Sequence, residues 1–179
     1  MGARGNRPRR KTISRAGSLH PSFQTKMNWD EYFFDIILSI SKKSKDPSTT
    51  VGCLIVSSNN EIVSSGFNGF PRGVKDGPTK VPDRYERSQK LLFTEHAERN
   101  AIYAAARRGI PLEGCRIYIE WHPCADCMRA IIQTGIKEVI MNGRSDSFND
   151  EALQERWNEH IQVSEIMAKE AGVKIRIWE

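Results

Sequence analysis

The chain has 179 residues, 39% of them hydrophobic and 27% charged, with a formal charge of +5. That is enough for one soluble domain burying about two-thirds of its unfolded surface, and the apolar runs are too short for a transmembrane helix. The net charge does not mark a nucleic-acid-binding body either: residues 1–26 hold Arg4, Arg7, Arg9, Arg10, Lys11, Arg15 and Lys26 with no Asp or Glu, so +5 less these seven leaves the remainder at −2.

That basic arm is poor in apolar residues and is expected to be disordered. It lacks the apolar stretch of a secretory signal. Arg-rich and acid-free, it loosely resembles an organellar transit segment, although its prolines and glycines weaken any amphipathic helix; organellar targeting stays open beside a plain solvated tail. MGARGN fails the myristoylation pattern because Asn6 fills the Ser/Thr slot. Met27 is an alternative start, and the expected division is an arm over 1–26 and a folded domain over 27–179. Four cysteines in an unsecreted chain, Cys53, Cys115, Cys124 and Cys127, point to metal or burial rather than disulfides. They imply a reducing compartment, with the cytoplasm expected.

From Asn28, NWDEYFFDIILSISKKSK predicts an amphipathic helix. Asn28 caps it, Glu31 occupies the capping-box position, and Trp29, Phe33, Ile36, Ile37 and Ile40 form the apolar stripe. VGCLIVS (51–57) and EIVSSGF (61–67) flank a polar SNN turn and predict a hairpin, with Cys53 packed as a small hydrophobe. Residues 68–93, rich in Gly and Pro, read as one long surface loop. A helix is expected from about Thr94 to Arg108, then a strand over 115–121 with Cys115 buried. A helix over 124–135 closed by Gly135, a strand over 137–142, a helix over 150–171 and a strand over 173–178 complete the chain. This order implies a layered α/β domain with a five-stranded mixed sheet.

Two clusters carry chemistry, HAE at 96–98 and HPCADC at 122–127, each where the chain enters a helix. Helix N-termini favour thiolates, the form that binds metal. Pro123 suits a first helical turn. Cys124 and Cys127, three apart, share one helix face. His96 and Glu98, two apart, do not, so His96 is placed where the chain is still entering its helix. His96, Cys124 and Cys127 make three ligands, and catalytic zinc takes three protein ligands and keeps a position for water, whose pKa it lowers to about 7. Glu98 is then the proton carrier to a ring nitrogen and to the leaving ammonia. H-x-E followed by P-C-x-x-C, with the Glu not a ligand, is the signature of zinc-dependent base deaminases. The bland alternatives are polar residues of a helix start and a redox C-x-x-C. His122 is assigned to the pocket rim, His160 to a solvated helix face and His20 to the tail.

SKDPSTTVGCLIV (44–56), GFNGFPRGV (66–74), HAERNAI (96–102), HPCADC (122–127) and IIQTGIKEVI (131–140) together resemble, in order and spacing, the deoxycytidylate (dCMP) deaminases of the cytidine deaminase superfamily. The resemblance implies a three-layer cytidine deaminase-like fold and a homo-oligomer, often a hexamer. It assigns Asn68 to the sugar, Ser44 and Lys45 to the phosphate end, Asn100 to the shape of that end, and the Ala97 backbone N–H to the pyrimidine carbonyl. Gly66, Phe67, Asn68 and Gly69 match a motif tied in regulated members to a deoxynucleoside triphosphate effector with Mg²⁺; the alternative is an ordinary turn. Glu120 and Trp121 depart from the pattern, standing where many relatives have smaller residues. Residues 68–93 contain no His or Cys, so one zinc per subunit is expected. Arg99, Arg107 and Arg108 are read as solvated, with a subunit contact or a neighbour's nucleotide as the alternative.

The expected activity is hydrolytic deamination of dCMP to dUMP and ammonia, with dCTP and 5-substituted dCMP as further substrates and dCTP or dTTP as regulators. Two rivals stand beside it. One is a base deaminase acting on tRNA or single-stranded DNA, for which the basic arm would supply phosphate contacts. The other is a non-catalytic zinc-bound module.

Overall fold

In a computed structural model the described residues are 26–75 and 84–179. The basic arm before Lys26, with His20, and Gly77, Pro78 and Pro82 of the expected loop lie outside them. The elements run α1 (Trp29–Ser41), β1 (Gly52–Val56), β2 (Ile62–Phe67), α2 (Arg87–Phe93), α3 (Ala97–Ala106), β3 (Arg116–Ile119), α4 (Ala125–Gln133), β4 (Glu138–Asn142), α5 (Glu151–Ala171) and β5 (Lys174–Trp178). The strands form one mixed sheet in the order β2-β1-β3-β4-β5. β1 is antiparallel to β2 and β3, whereas β3, β4 and β5 are parallel and joined through α4 and α5. The fold class is as the sequence implied.

Both faces of the sheet are covered, so β1, between β2 and β3, is buried at all five positions. Leu54 and Val56, with Tyr118 and Ile140, meet Phe33, Phe34 and Ile37 of α1. Cys53 and Ile55, with Ile117, Ile119, Val139 and Met141, meet Ala97, Ala101 and Ile102 of α3, Met128 and Ile131 of α4, and Ala168 of α5. Each large apolar side chain so enclosed contributes about 1.5–3 kcal/mol.

Asn28 caps α1 as expected, its Oδ1 accepting the Glu31 N–H at 2.9 Å. The apolar stripe is shifted, however. Trp29 is 54% exposed, and Phe34 takes the core place beside Phe33 and Ile37. Trp29 opens the helix and stacks on Phe33 (centroids 5.5 Å apart) instead of reaching the sheet. The expected helix over about 94–108 is α3, with a later start. Thr94 ends α2, a helix inside the segment read as loop, and α3 begins only at Ala97. Cys53 and Cys115 are buried, as expected.

One glycine decides where the first chemical cluster sits. A Cβ at Gly66 would stand 2.2 Å from the Ala97 carbonyl oxygen and 2.4 Å from the Ala101 nitrogen. Only glycine lets the backbone of α3 lie directly on β2. The N-terminus of α3 is thereby set at the edge of the sheet.

Candidate active site

His96 is the N-cap of α3, with extended backbone (φ −76°, ψ 154°) and no side-chain cap bond. Its imidazole is therefore free to turn away from its own helix. The preceding residue is pinned by a two-way backbone bridge: Glu95 N–H donates to the Gly69 carbonyl at 2.9 Å, and Gly69 N–H to the Glu95 carbonyl at 3.1 Å. Cys124 is likewise the N-cap of α4 (φ −69°, ψ 167°), and Cys127 lies in the first turn beyond it. Pro123 thus precedes the cap and is not in the first turn.

The two helix starts converge. Nδ1 of His96 is 3.4 Å from Sγ of Cys124 and 3.4 Å from Sγ of Cys127. The three donor atoms all lie within 4.8 Å of one another, and this is the one such cluster of three or more His, Cys, Asp or Glu among the described residues. A tetrahedral zinc with Zn–N near 2.0–2.1 Å and Zn–S near 2.3 Å needs a nitrogen–sulfur separation of about 3.5 Å. The donors fit that ion, and three protein donors are the complement of a catalytic rather than a structural zinc.

The thiols are electrostatically unequal. The hydrogen bond between them pulls Cys124 well down, with His96 helping, and pushes Cys127 up. The hydrogen bond to Cys124 raises the His96 imidazole against its burial. Glu98, buried in the first turn of α3, is raised by desolvation. A carboxyl raised by desolvation is a stronger proton acceptor than an ordinary one.

His96, Glu98 and Cys124 line a cavity of about 430 Å³, within the size range of small-ligand pockets at roughly 300–1,000 Å³. Ala97, Asn68, Glu120, Trp121 and His122 share its wall. Asn68 is held on three sides: its Oδ1 accepts the Val51 N–H at 2.8 Å, and its Nδ2 donates to the Thr49 carbonyl at 2.8 Å and to Asp46 Oδ2 at 3.5 Å. Glu120 accepts the Gly52 N–H at 3.3 Å, and burial, aided by Glu98, pushes its carboxyl up to about 7. His122 stacks on Phe148 (5.1 Å, 14°) and stays out of the donor cluster, and His160 is exposed, as expected for both.

Other expected residues do not line the cavity. Ser44 donates from Oγ to the Asn68 carbonyl at 2.9 Å, and Lys45 is exposed. Asn100 spends its amide on the Phe67 carbonyl at 2.8 Å. Gly66 packs on α3, Phe67 is exposed, and Gly69 makes the bridge to Glu95. Arg99 is not solvated but paired with Glu95 and Asp126, whereas Arg107 and Arg108 are exposed.

The cavity also contains residues that the sequence did not single out: Lys90 and Arg87 from α2, and Leu153, Arg156 and Trp157 from α5. Trp157 stands edge-on to His96 (6.2 Å, 71°). The Leu153–Trp157 spacing of four was a usable signal, since such pairs share a helix face. The short helix of Lys90 offered none.

The family model for the cytidine and deoxycytidylate deaminase zinc-binding region matches residues 27–142. The uncharacterized deaminase in the luxG 3′ region of Aliivibrio fischeri is 44% identical over 147 residues, 82% of this chain and 91% of its own length. The deoxycytidylate deaminase of Mus musculus is 36% identical over 152 residues, 84% of this chain and 79% of its own. In fold, the dCMP deaminase of cyanophage S-TIM5, solved in complex with dCMP and dUMP, superposes with a TM-score of 0.62 at 23% identity, covering 83% of this chain and 95% of that one.

Proposed function

Because the chain belongs to the cytidine and deoxycytidylate deaminase family, we propose that it hydrolyses dCMP to dUMP and ammonia. The observation that carries this reading is the meeting of three metal donors with buried Glu98 beside a mononucleotide-sized cavity that also contains Lys90, Arg87 and Arg156. Residues 27–179 are taken as the deaminase domain and residues 1–26 as an appended arm.

His96, Cys124 and Cys127 would hold zinc, which when bound supplies a Lewis acid that makes water nucleophilic near neutral pH. The chain's own residues do the rest. Glu98 accepts the proton of the attacking water on its carboxylate and passes it to N3 of the cytosine. It then takes the remaining proton from the hydroxyl added at C4 and carries it to the departing amine, so that the C4–N bond breaks, ammonia leaves and C4 keeps a carbonyl. The Ala97 N–H, at the open start of α3, suits the pyrimidine carbonyl, because first-turn N–H groups have no helical partner. Asn68 serves the sugar, while Lys90 and the exposed Arg87, Arg156 and Ser48 at the cavity suit a phosphate. We keep Ser44, Lys45 and Asn100 as supports of this wall.

Homo-oligomerisation, to a hexamer, belongs to the same proposal and is supported by exposed apolar side chains such as Leu92 (79%) and Leu91 (53%). So does regulation by a deoxynucleoside triphosphate with Mg²⁺ at Gly66–Gly69, which abuts α3 and Glu95. Four free cysteines fit a reducing compartment such as the cytoplasm.

The test is ammonia release by zinc-loaded protein from cytidine, dCMP, 5-methyl-dCMP, dCTP, single-stranded DNA and a tRNA stem-loop, with and without residues 1–26. Turnover of dCMP that survives removal of the arm is expected. Release from the nucleic acids alone, lost with the arm, identifies a base deaminase of nucleic acid instead.

A further inference from the structure

We propose that Arg99 is a positioning residue that holds the two halves of the metal site in register. It stands third in α3, where a cation faces the positive end of the helix dipole and is ordinarily unfavourable. Here two carboxylates offset that cost. Nε of Arg99 lies 2.5 Å from Oε1 of Glu95, and one terminal nitrogen lies 3.5 Å from Oδ2 of Asp126.

The two partners sit at telling places. Glu95 immediately precedes His96, and its Oε1 also accepts the His96 backbone N–H at 3.0 Å. Asp126 lies between Cys124 and Cys127. A single guanidinium therefore joins the residue before the imidazole donor to a residue flanked by both sulfur donors. Nothing covalent fixes that spacing, because α3 and α4 are separated by a whole strand. The Arg99 side chain is only 20% exposed, so its pairs are better sheltered than an open surface ion pair. Arg129 also pairs with Asp126, but from the same helix and from the solvent side, so it orients the carboxylate without linking the helices. Lysine, a point charge without a planar fork, cannot reach both carboxylates in this way.

The inference rests on the reading of His96, Cys124 and Cys127 as a metal site, and its test does not depend on turnover. Zinc-loaded wild type, Arg99→Met, Arg99→Lys and Asp126→Asn are mixed with a coloured chelator and the rate of zinc transfer is followed; the cobalt-loaded forms are compared by visible absorption. Partners that orient metal ligands are worth about 10–100-fold in affinity. Arg99→Met is expected to release zinc faster by about that factor and to shift the cobalt bands, while the zinc-stripped protein melts nearly as before. Arg99→Lys should recover part of the loss.

Zinc release from Arg99→Met at the wild-type rate, or a loss of melting temperature with no change in release, overturns the inference. If Arg99→Met does not fold, Asp126→Asn compared with Arg129→Met decides, since both lose the Asp126–Arg129 pair but only the first loses the arm between helices: faster release from Asp126→Asn alone supports the strap, and equal rates refute it. Wild-type protein that takes up no zinc refutes the metal site itself, and this inference with it, before any variant is compared.

Discussion

Lys90 Nζ lies 2.8 Å from one oxygen of the Asp46 carboxylate and 2.7 Å from the other, and 2.7 Å from Ser48 Oγ. A cation from α2 is thereby fastened to the segment that leads into β1, and together they close one wall of the cavity. Burial opposes the charge on Asp46, yet Lys90 and the Ser48 and Thr49 N–H groups hold its carboxyl below the ordinary value. The same Asp46 receives Nδ2 of Asn68. Lys90, Asp46 and Asn68 are therefore one bonded unit on the wall proposed for the sugar-phosphate end of the substrate.

A hydrogen bond to a charged group contributes about 1.5–3 kcal/mol. Lys90→Met should accordingly raise KM for dCMP by about ten- to a hundredfold and change kcat less. Turnover of cytidine, which has no phosphate, should hardly change. Steady-state kinetics on the two substrates measure this, and equal losses on both would remove Lys90 from phosphate recognition.

Glu98→Gln keeps the shape of the buried side chain but cannot carry a proton. The expected loss in kcat is about 10²–10⁴-fold, the usual contribution of a positioned acid–base group. Zinc content by atomic absorption should stay at the wild-type level, because Glu98 lies outside the donor cluster. A variant that is active and zinc-replete would require another proton carrier.

Glu120 gives a pH dependence of stability with a definite sign. Burial first, then Glu98, lifts its carboxyl from the ordinary 4.5 to about 7. Between those values the unfolded chain has released a proton that the folded chain still holds, so stability falls as pH rises through this window. Glu120→Gln has no such proton to lose. Its melting temperature relative to wild type should climb from pH 4.5 to pH 7 and then level off, as measured by thermal melts in matched metal states; a constant difference across that window would contradict the buried, protonated carboxyl.

The opposite sign holds at Asp30. Its two oxygens accept from Arg176 at 2.7 and 2.9 Å and from the buried Tyr118 hydroxyl at 2.7 Å. Arg176 above all keeps the carboxyl below its ordinary 3.8, so this stabilisation is present above that pH and is lost as pH falls through the folded value. Asp30→Asn should lower stability at neutral pH by about 1–3 kcal/mol. The deficit against wild type in urea unfolding should shrink as the pH is brought down through 4.

Much of this molecule was legible in one dimension. Strand alternation, the SNN turn, the Asn28 cap and the glycines after helices are local signals, and they placed all five strands and four of five helices. The donor set was legible for a related reason: a metal demands particular atoms, and H-x-E with P-C-x-x-C leaves little else for them to do. Even the extended backbone of His96 followed from the two-residue spacing to Glu98.

What the chain did not disclose locally is where side chains end up relative to other elements. α2 is seven residues long with Leu91 and Leu92 facing out, so it carries no apolar stripe, and helices that short are held by tertiary contacts rather than by their own propensity. Trp29 is exposed and Phe34 buried because contact with Tyr118 and Trp178, not the period of the helix, decides which residues of α1 have something to pack on. Lys90, Arg156 and Trp157 reach the cavity from two helices lying on either side of the metal motifs in sequence. The sequence determined the chemistry, since reactive residue types at short spacings are a local property. Tertiary structure alone decided the company that chemistry keeps, because burial, pairing and enclosure depend on distances between segments that no local pattern encodes.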